Sequence, residues 1–218
     1  MRVILEIGKK RRVVAGAMDW PGLDRWGASE EAALVKLSSY VPRYARVAER
    51  AGVARAFKRA GELEVVERVP GSSSTDFWGI AHVPSQIERE VLSEADLERR
   101  LTLMRACWDY FDDAAAAASA ELRPGRRGGG RSRDEIIRHI HASERRNWSP
   151  KVGVRTELEV MLTPDGLATH RQHYTDAIRV YNAEGKPART WPIQFLIRRT
   201  AHHVMDHAWE IEDRDLTP

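Results

Sequence analysis

Apolar and polar positions divide the chain into an alternating first third and a helical remainder. Arg2–Gly8 and Arg12–Met18 are two short β-type runs, and Gly8-Lys9-Lys10 between them reads as the turn of a hairpin. Trp20-Pro21-Gly22 interrupts, and Leu23–Gly27 reads as a third short strand. Ser29 is placed to cap a helix whose apolar face is Ala33, Leu34, Leu37 and Tyr40, with further helical segments to about Ala60. Leu63–Val69 alternates as a fourth strand, and Thr75–His82 reads as a fifth. Strands around a helix make this third an α+β unit.

Past Pro84-Ser85 the period changes to that of helices, so the chain divides into 1–84 and 85–218. Ser93 caps a long helix striped by Leu97, Leu101, Met104, Trp108 and Phe111 and extending to about Glu121. Pro124–Gly130 is a loop rich in Gly and Arg, without a strand before it or a Gly-Lys-Ser/Thr ending, so it is no phosphate loop. Ser132 and Glu135 form a capping-box pattern that opens a second helix running to Asn147. Residues 148–163 are long for a helix–helix loop and suit a crossover along a bundle. Asp165–Glu184 is a third helix, with Leu167, His170, Tyr174, Ile178 and Tyr181 at helical spacing. The fourth follows Pro192 and runs to Asp213, with Ile197, Ala201, Val204, Ala208 and Ile211 as its apolar stripe. The predicted fold is α+β: a small sheet-and-helix domain, then a four-helix bundle.

Composition narrows the classes. The 218 residues are 42% hydrophobic and 31% charged, enough for a sizeable core under a polar surface. No apolar run nears the ~18 residues needed to cross a bilayer, and Arg2 precedes only a short apolar run, so neither a membrane span nor a signal peptide is expected. The net charge of +3 is mild and its basic residues are dispersed, which argues against a dedicated nucleic-acid binder. One cysteine, Cys107, excludes an internal disulfide framework and makes the cytoplasm the expected compartment. Between Ala106 and Trp108 it is expected to be buried and inert.

The histidines carry the candidate chemistry. His203 and His207 are four apart, one above the other on the flank of the last helix's apolar stripe. One helical turn lets both rings reach a common ion, although histidines hydrogen-bonded to neighbours would give the same pattern. His202 points about 100° away from His203. In the second helix His139 leans inward and His141 outward, so His139 is the candidate third ligand. Asp206, Glu210 and Glu144 are candidates to orient a ligand imidazole, or else acids pairing with Arg198, Arg199 or Arg145. Arg126, Arg127 and Arg131 are a loose basic loop or contacts for an anionic group. Trp20, Trp26 and Trp78 are expected in the core or a pocket wall.

Two stretches resemble known families. Glu135-Ile-Ile-Arg-His-Ile-His-Ala-Ser-Glu144 and Ile197–Asp213, with the long crossover between them, look like the DinB-like four-helix bundles grouped with thiol-dependent transferases. The resemblance covers about residues 86–215 and implies a metal triad on His139, His203 and His207. Val13–Leu34, a strand, a Pro-Gly turn, a short strand and a helix, is similar to the HicB-like antitoxin fold over residues 1–40. No toxin- or DNA-binding feature accompanies it, and a packing or lid domain is the plainer reading.

The DinB resemblance implies a divalent metal with open positions, the arrangement of catalytic rather than structural zinc. Zinc is the first candidate; nickel, iron and manganese also accept three imidazoles. It also implies a low-molecular-weight thiol such as mycothiol, held on the metal as thiolate, and a small-molecule substrate. Three readings stay open: a metal-dependent transferase or hydrolase, a non-catalytic metal or small-ligand binder in stress or detoxification, and an interaction module built on the N-terminal region. A homodimer is compatible with exposed helix faces.

Overall fold

The computed structural model describes residues 1–10, 12–125 and 129–216. The expected hairpin is present. β1 (Arg2–Ile7) and β2 (Val13–Ala17) pair antiparallel, with Val3 opposite Ala17 and Ile7 opposite Val13. β3 (Asp24–Gly27) extends the sheet beyond β2. β4 (Glu64–Pro70) lies parallel to β1, so the order is β3-β2-β1-β4. A parallel neighbour requires a crossover, and helices α1 (Glu30–Arg50) and α2 (Ala54–Lys58) lie within that connection. Ser29 caps α1 by accepting from the Ala32 amide at 3.1 Å. Alternation along β1 sends Val3 and Leu5 into the main core and Ile4 to the other face, beside Met18 and Val69.

Thr75–His82 is not a strand. Ser73–Trp78 is a short helix, α3, with a capping box between Ser72 and Thr75 and Gly79 in the left-handed conformation at φ 68°. The strand-favouring Phe77, Trp78 and Ile80 mislead because the end signals, Ser72 and Gly79, override them. At Gly79 a Cβ would lie 2.6 Å from the Trp26 ring, so only glycine fits there. Glu6 fixes the segment from below. Its buried carboxylate accepts from Thr75 Oγ1 and from the backbone amides of His82 (2.8 Å) and Val83 (2.9 Å). Asp76 in turn accepts from the amides of Lys9 and Lys10 in the hairpin turn.

Four long helices follow: α4 (Glu94–Ala117), α5 (Arg133–Ser143), α7 (Pro164–Ala183) and α8 (Ile193–Arg214). Ser93 caps α4, and Ser132 with Glu135 forms the expected capping box of α5. The predicted stripes of α4 and α8 are buried throughout. α4 stops short of Glu121. The Ser119 amide bonds Asp215 and the Arg123 amide bonds the Arg214 carbonyl, so the chain turns to dock on the end of α8. α5 widens into a π-turn over Glu144–Trp148 and then a 3₁₀ turn over Ser149–Val152. The crossover also holds a one-turn helix, α6 (Leu158–Met161). No helix among the described residues is long and apolar enough to cross a membrane.

Sheet and helices share one apolar core, running from Val3 to Ile211. A buried ion network ties them further. Arg198 of α8 bonds Glu88 at 2.7 Å and Asp24 of β3 at 2.9 Å, all three nearly inaccessible. Gly16 of β2 makes room, since a Cβ there would sit 2.8 Å from Asp24 Oδ1 and 3.0 Å from Arg198 Nη1. Cys107 is buried as expected, and burial pushes its thiol far up. Trp20 is core, whereas Trp26 is half exposed, with Arg12 over its ring at 4.6 Å.

Candidate metal centre

α8 holds His203 and His207 one turn apart, with ring centroids 4.8 Å from each other. α5 brings His139 to 5.0 Å from both, completing a nearly equilateral triangle of imidazoles. One nitrogen from each ring lies within 4.8 Å of the others, a cluster capable of holding a metal ion. A tetrahedral ion with nitrogens at 2.0–2.1 Å sets them about 3.3 Å apart, so small ring rotations close the gap. The Nε2 atoms of His139 and His203 are already at 3.1 Å.

The electrostatics suit neutral ligands. Burial, then the charges of His207 and Arg131, lower the His139 pKa to about 4. Burial, then His207 and His139, hold His203 well below the usual imidazole range. Both rings are therefore neutral at pH 7, the form that offers a lone pair. His207 Nδ1 donates to Glu210 at 2.7 Å, which leaves its Nε2 as the lone-pair atom. Burial alone would raise the Glu210 carboxyl, but the bonds from His207 and Arg214 hold it low. His203 Nδ1 is buried without a partner, against the Trp148 ring at 4.7 Å. An unmet buried polar atom costs about 1–3 kcal/mol.

The triad sits in the wall of a cavity of about 660 Å³. Ser143, Asn147 and Trp148 line it from the end of α5 and the π-turn, and Trp191 from just before α8. Ser74, Trp78, Ile80 and His82 close one side from the N-terminal segment. Trp78 is thus the pocket-wall tryptophan that was expected, 65% exposed.

No known protein family, curated protein or solved structure matches this chain.

Of the three acids considered as imidazole partners, only Glu210 meets the triad. Asp206 binds Arg25 at 2.9 Å, and that guanidinium is sandwiched between Tyr40 (3.9 Å) and Trp209 (4.0 Å). Glu144 is fully buried and faces His170 at 3.1 Å while accepting from Trp108 Nε1. Arg145 pairs with Glu157. His202 is buried beside Arg199, away from the triad. His141 is also not outward as expected: it is 5% exposed, with both ring nitrogens unpartnered. It lines a second cavity of about 610 Å³ with Trp108, Asp109 and Arg171. Residues of α4, α6 and α7 surround the side of α5 that a single-helix wheel assigns to solvent. Arg131 lines the triad's cavity, while Arg126 and Arg127 lie outside the described residues. Lys151, Trp191, Ser74, Ile80 and His82 are cavity residues that the sequence reading does not single out. The signal for segment 72–82 was available in the Ser72–Thr75 cap and Gly79.

Proposed function

We propose that the C-terminal helices form a DinB-like bundle holding a divalent metal on His139, His203 and His207, and that the protein is a metal-dependent transferase or hydrolase. The observation that carries this reading is the convergence of imidazoles from α5 and α8 at the wall of a large cavity. Three imidazole nitrogens would fit a divalent ion, zinc first, and three protein ligands would leave room for a substrate or water. When bound, such an ion supplies Lewis acidity and lowers the pKa of a thiol or water toward neutrality.

The chain's own residues do the rest. Glu210 fixes the His207 tautomer and ring direction. Trp148 packs on His203 and shields it from water. Ser143 and Asn147 offer polar contacts to a small substrate. A low-molecular-weight thiol such as mycothiol is the proposed co-substrate. Cys107 cannot replace it, because its thiol is buried and held protonated. Residues 1–84, HicB-like in this reading, act as the unit that closes the cavity, and 85–218 as the unit that bears the metal.

The test is metal content by mass spectrometry on untagged protein, beside His139→Ala and His203→Ala. About one ion per chain, lost in both variants, is the expected result. Metal retained in both, or none in the wild type, overturns the triad. A thiol plus an electrophile, consumed only when metal is present, separates an enzyme from a passive binder.

A further inference from the structure

α8 carries two adjacent arginines with opposite circumstances. Arg198 is matched by two buried carboxylates, Glu88 and Asp24. Arg199 is 4% exposed, yet among the described residues no carboxylate lies within ion-pair reach of it. Its Nη1 meets only His202 Nδ1, at 2.7 Å, and its Nε is buried without a partner. Asp24, Glu6 and Asp206 act on it from beyond ion-pair distance. Asp24 and Asp206 are taken by Arg198 and Arg25, and Glu6 by Thr75 and the amides of His82 and Val83. Burial lowers the Arg199 pKa only to about 10, so it stays a cation at pH 7. Burying a charge without a counter-ion is strongly unfavourable. Arg199 lines the triad's cavity.

The rest of that wall has the same sign. Lys151 and Arg131 also line it, and neither has a carboxylate partner among the described residues. The Lys151 ammonium lies 4.0 Å over the Trp191 ring. Among the described residues the one acid on the wall is Asp206, which is paired with Arg25. Between the cations the lining is aromatic: Trp78, Trp148 and Trp191, with His82 edge-on to Trp191 at 5.7 Å. A volume near 660 Å³ is in the range of small-molecule sites.

We infer that this cavity binds a small planar carboxylate, aromatic or conjugated, its anionic end matched by Arg199 and Lys151 and its flat body by the indoles, with Trp78 bringing the N-terminal segment into recognition. The guanidinium's planar fork suits a carboxylate's two oxygens, and indole faces suit a flat apolar body. The inference deepens the proposed function by naming the substrate class of the same site.

The probes are benzoate, benzyl alcohol, acetate and inorganic phosphate, titrated calorimetrically into full-length protein, zinc-loaded and zinc-stripped, with zinc content measured for every sample. Benzoate is expected to bind saturably in both forms, at least tenfold tighter than the other three. Lys151→Met and Trp78→Ala, both outside the packed core, are expected to weaken benzoate at least fivefold with zinc content unchanged. Arg199→Gln, checked for folding by circular dichroism, should weaken it more. Benzoate binding no better than benzyl alcohol or acetate overturns the inference, as does unchanged affinity in Lys151→Met and Trp78→Ala. Phosphate binding tighter than benzoate overturns the planar body. Benzoate binding lost on stripping zinc and unaffected by Lys151→Met places the anion on the metal and also overturns it. Benzoate binding as expected in a protein that takes up no zinc supports this inference and overturns the metal reading instead.

Discussion

Glu210→Gln should weaken metal binding about tenfold while leaving the fold intact. Glu210 Oε2 accepts the His207 Nδ1 proton at 2.7 Å, and Oε1 accepts from Arg214 at 2.6 Å. Glutamine keeps the shape and removes the charge. A hydrogen bond to a charged group contributes about 1.5–3 kcal/mol and a neutral one about 0.5–1.5. The loss at His207 is therefore on the order of 1–1.5 kcal/mol. About 1.4 kcal/mol corresponds to tenfold, the weaker limit of the 10–100-fold commonly lost when a ligand imidazole loses its partner. Arg214 remains anchored through the carbonyls of Arg123 and Arg131. The assay is competition for zinc with a chromophoric chelator at pH 7.5, beside Glu212→Gln. Glu212 lies on the same helix but is held by Arg43, Arg46 and Tyr110, so it makes the same charge change away from the triad. Equal shifts in the two variants, or less than a twofold shift in Glu210→Gln, would refute the role given to the Glu210–His207 bond.

Arg198→Met should destabilise the fold by about 3–5 kcal/mol, because it strands Asp24 and Glu88 as buried charges. Burial already raises Asp24 in the presence of Arg198, and without the arginine both carboxyls titrate above their unfolded values. Groups raised in this way favour the fold when protonated, so urea melts should show the variant's deficit shrinking from pH 7.5 to pH 5; a loss under 1 kcal/mol, or one independent of pH, contradicts the network's role. His141→Leu should stabilise by about 1 kcal/mol at pH 7.5, since it removes two unpartnered buried nitrogens. Burial first, then Arg171, lowers the His141 pKa, so only the unfolded chain takes up its proton near pH 6.5. The wild type therefore loses stability as pH falls below that value, and the variant's advantage should widen by up to about 1.4 kcal/mol at pH 5.5. An advantage constant with pH would mean that His141 is protonated in the fold.

The sequence by itself determined what is local. Period-2 and period-3.6 patterns located the hairpin, β4 and the four long helices, and Ser29, Ser93 and Ser132 marked where helices begin. The i, i+4 spacing put His203 and His207 on one face, because 3.6 residues per turn leaves them nowhere else. Local pattern failed where two signals competed, as in α3, where a cap and a left-handed glycine outweighed strand-favouring side chains. It failed again where burial depends on a neighbour. His141 looks outward on its own helix but is covered in the packed fold. What only the tertiary structure decided is which distant groups meet. Glu6 holds segment 72–83, and Arg25 claims Asp206 across 181 residues. Arg198 and Arg199, adjacent and chemically identical, differ because two carboxylates from elsewhere in the chain reach only the first. Charge matching in a fold is set by three-dimensional proximity and desolvation, which no spacing along one chain encodes.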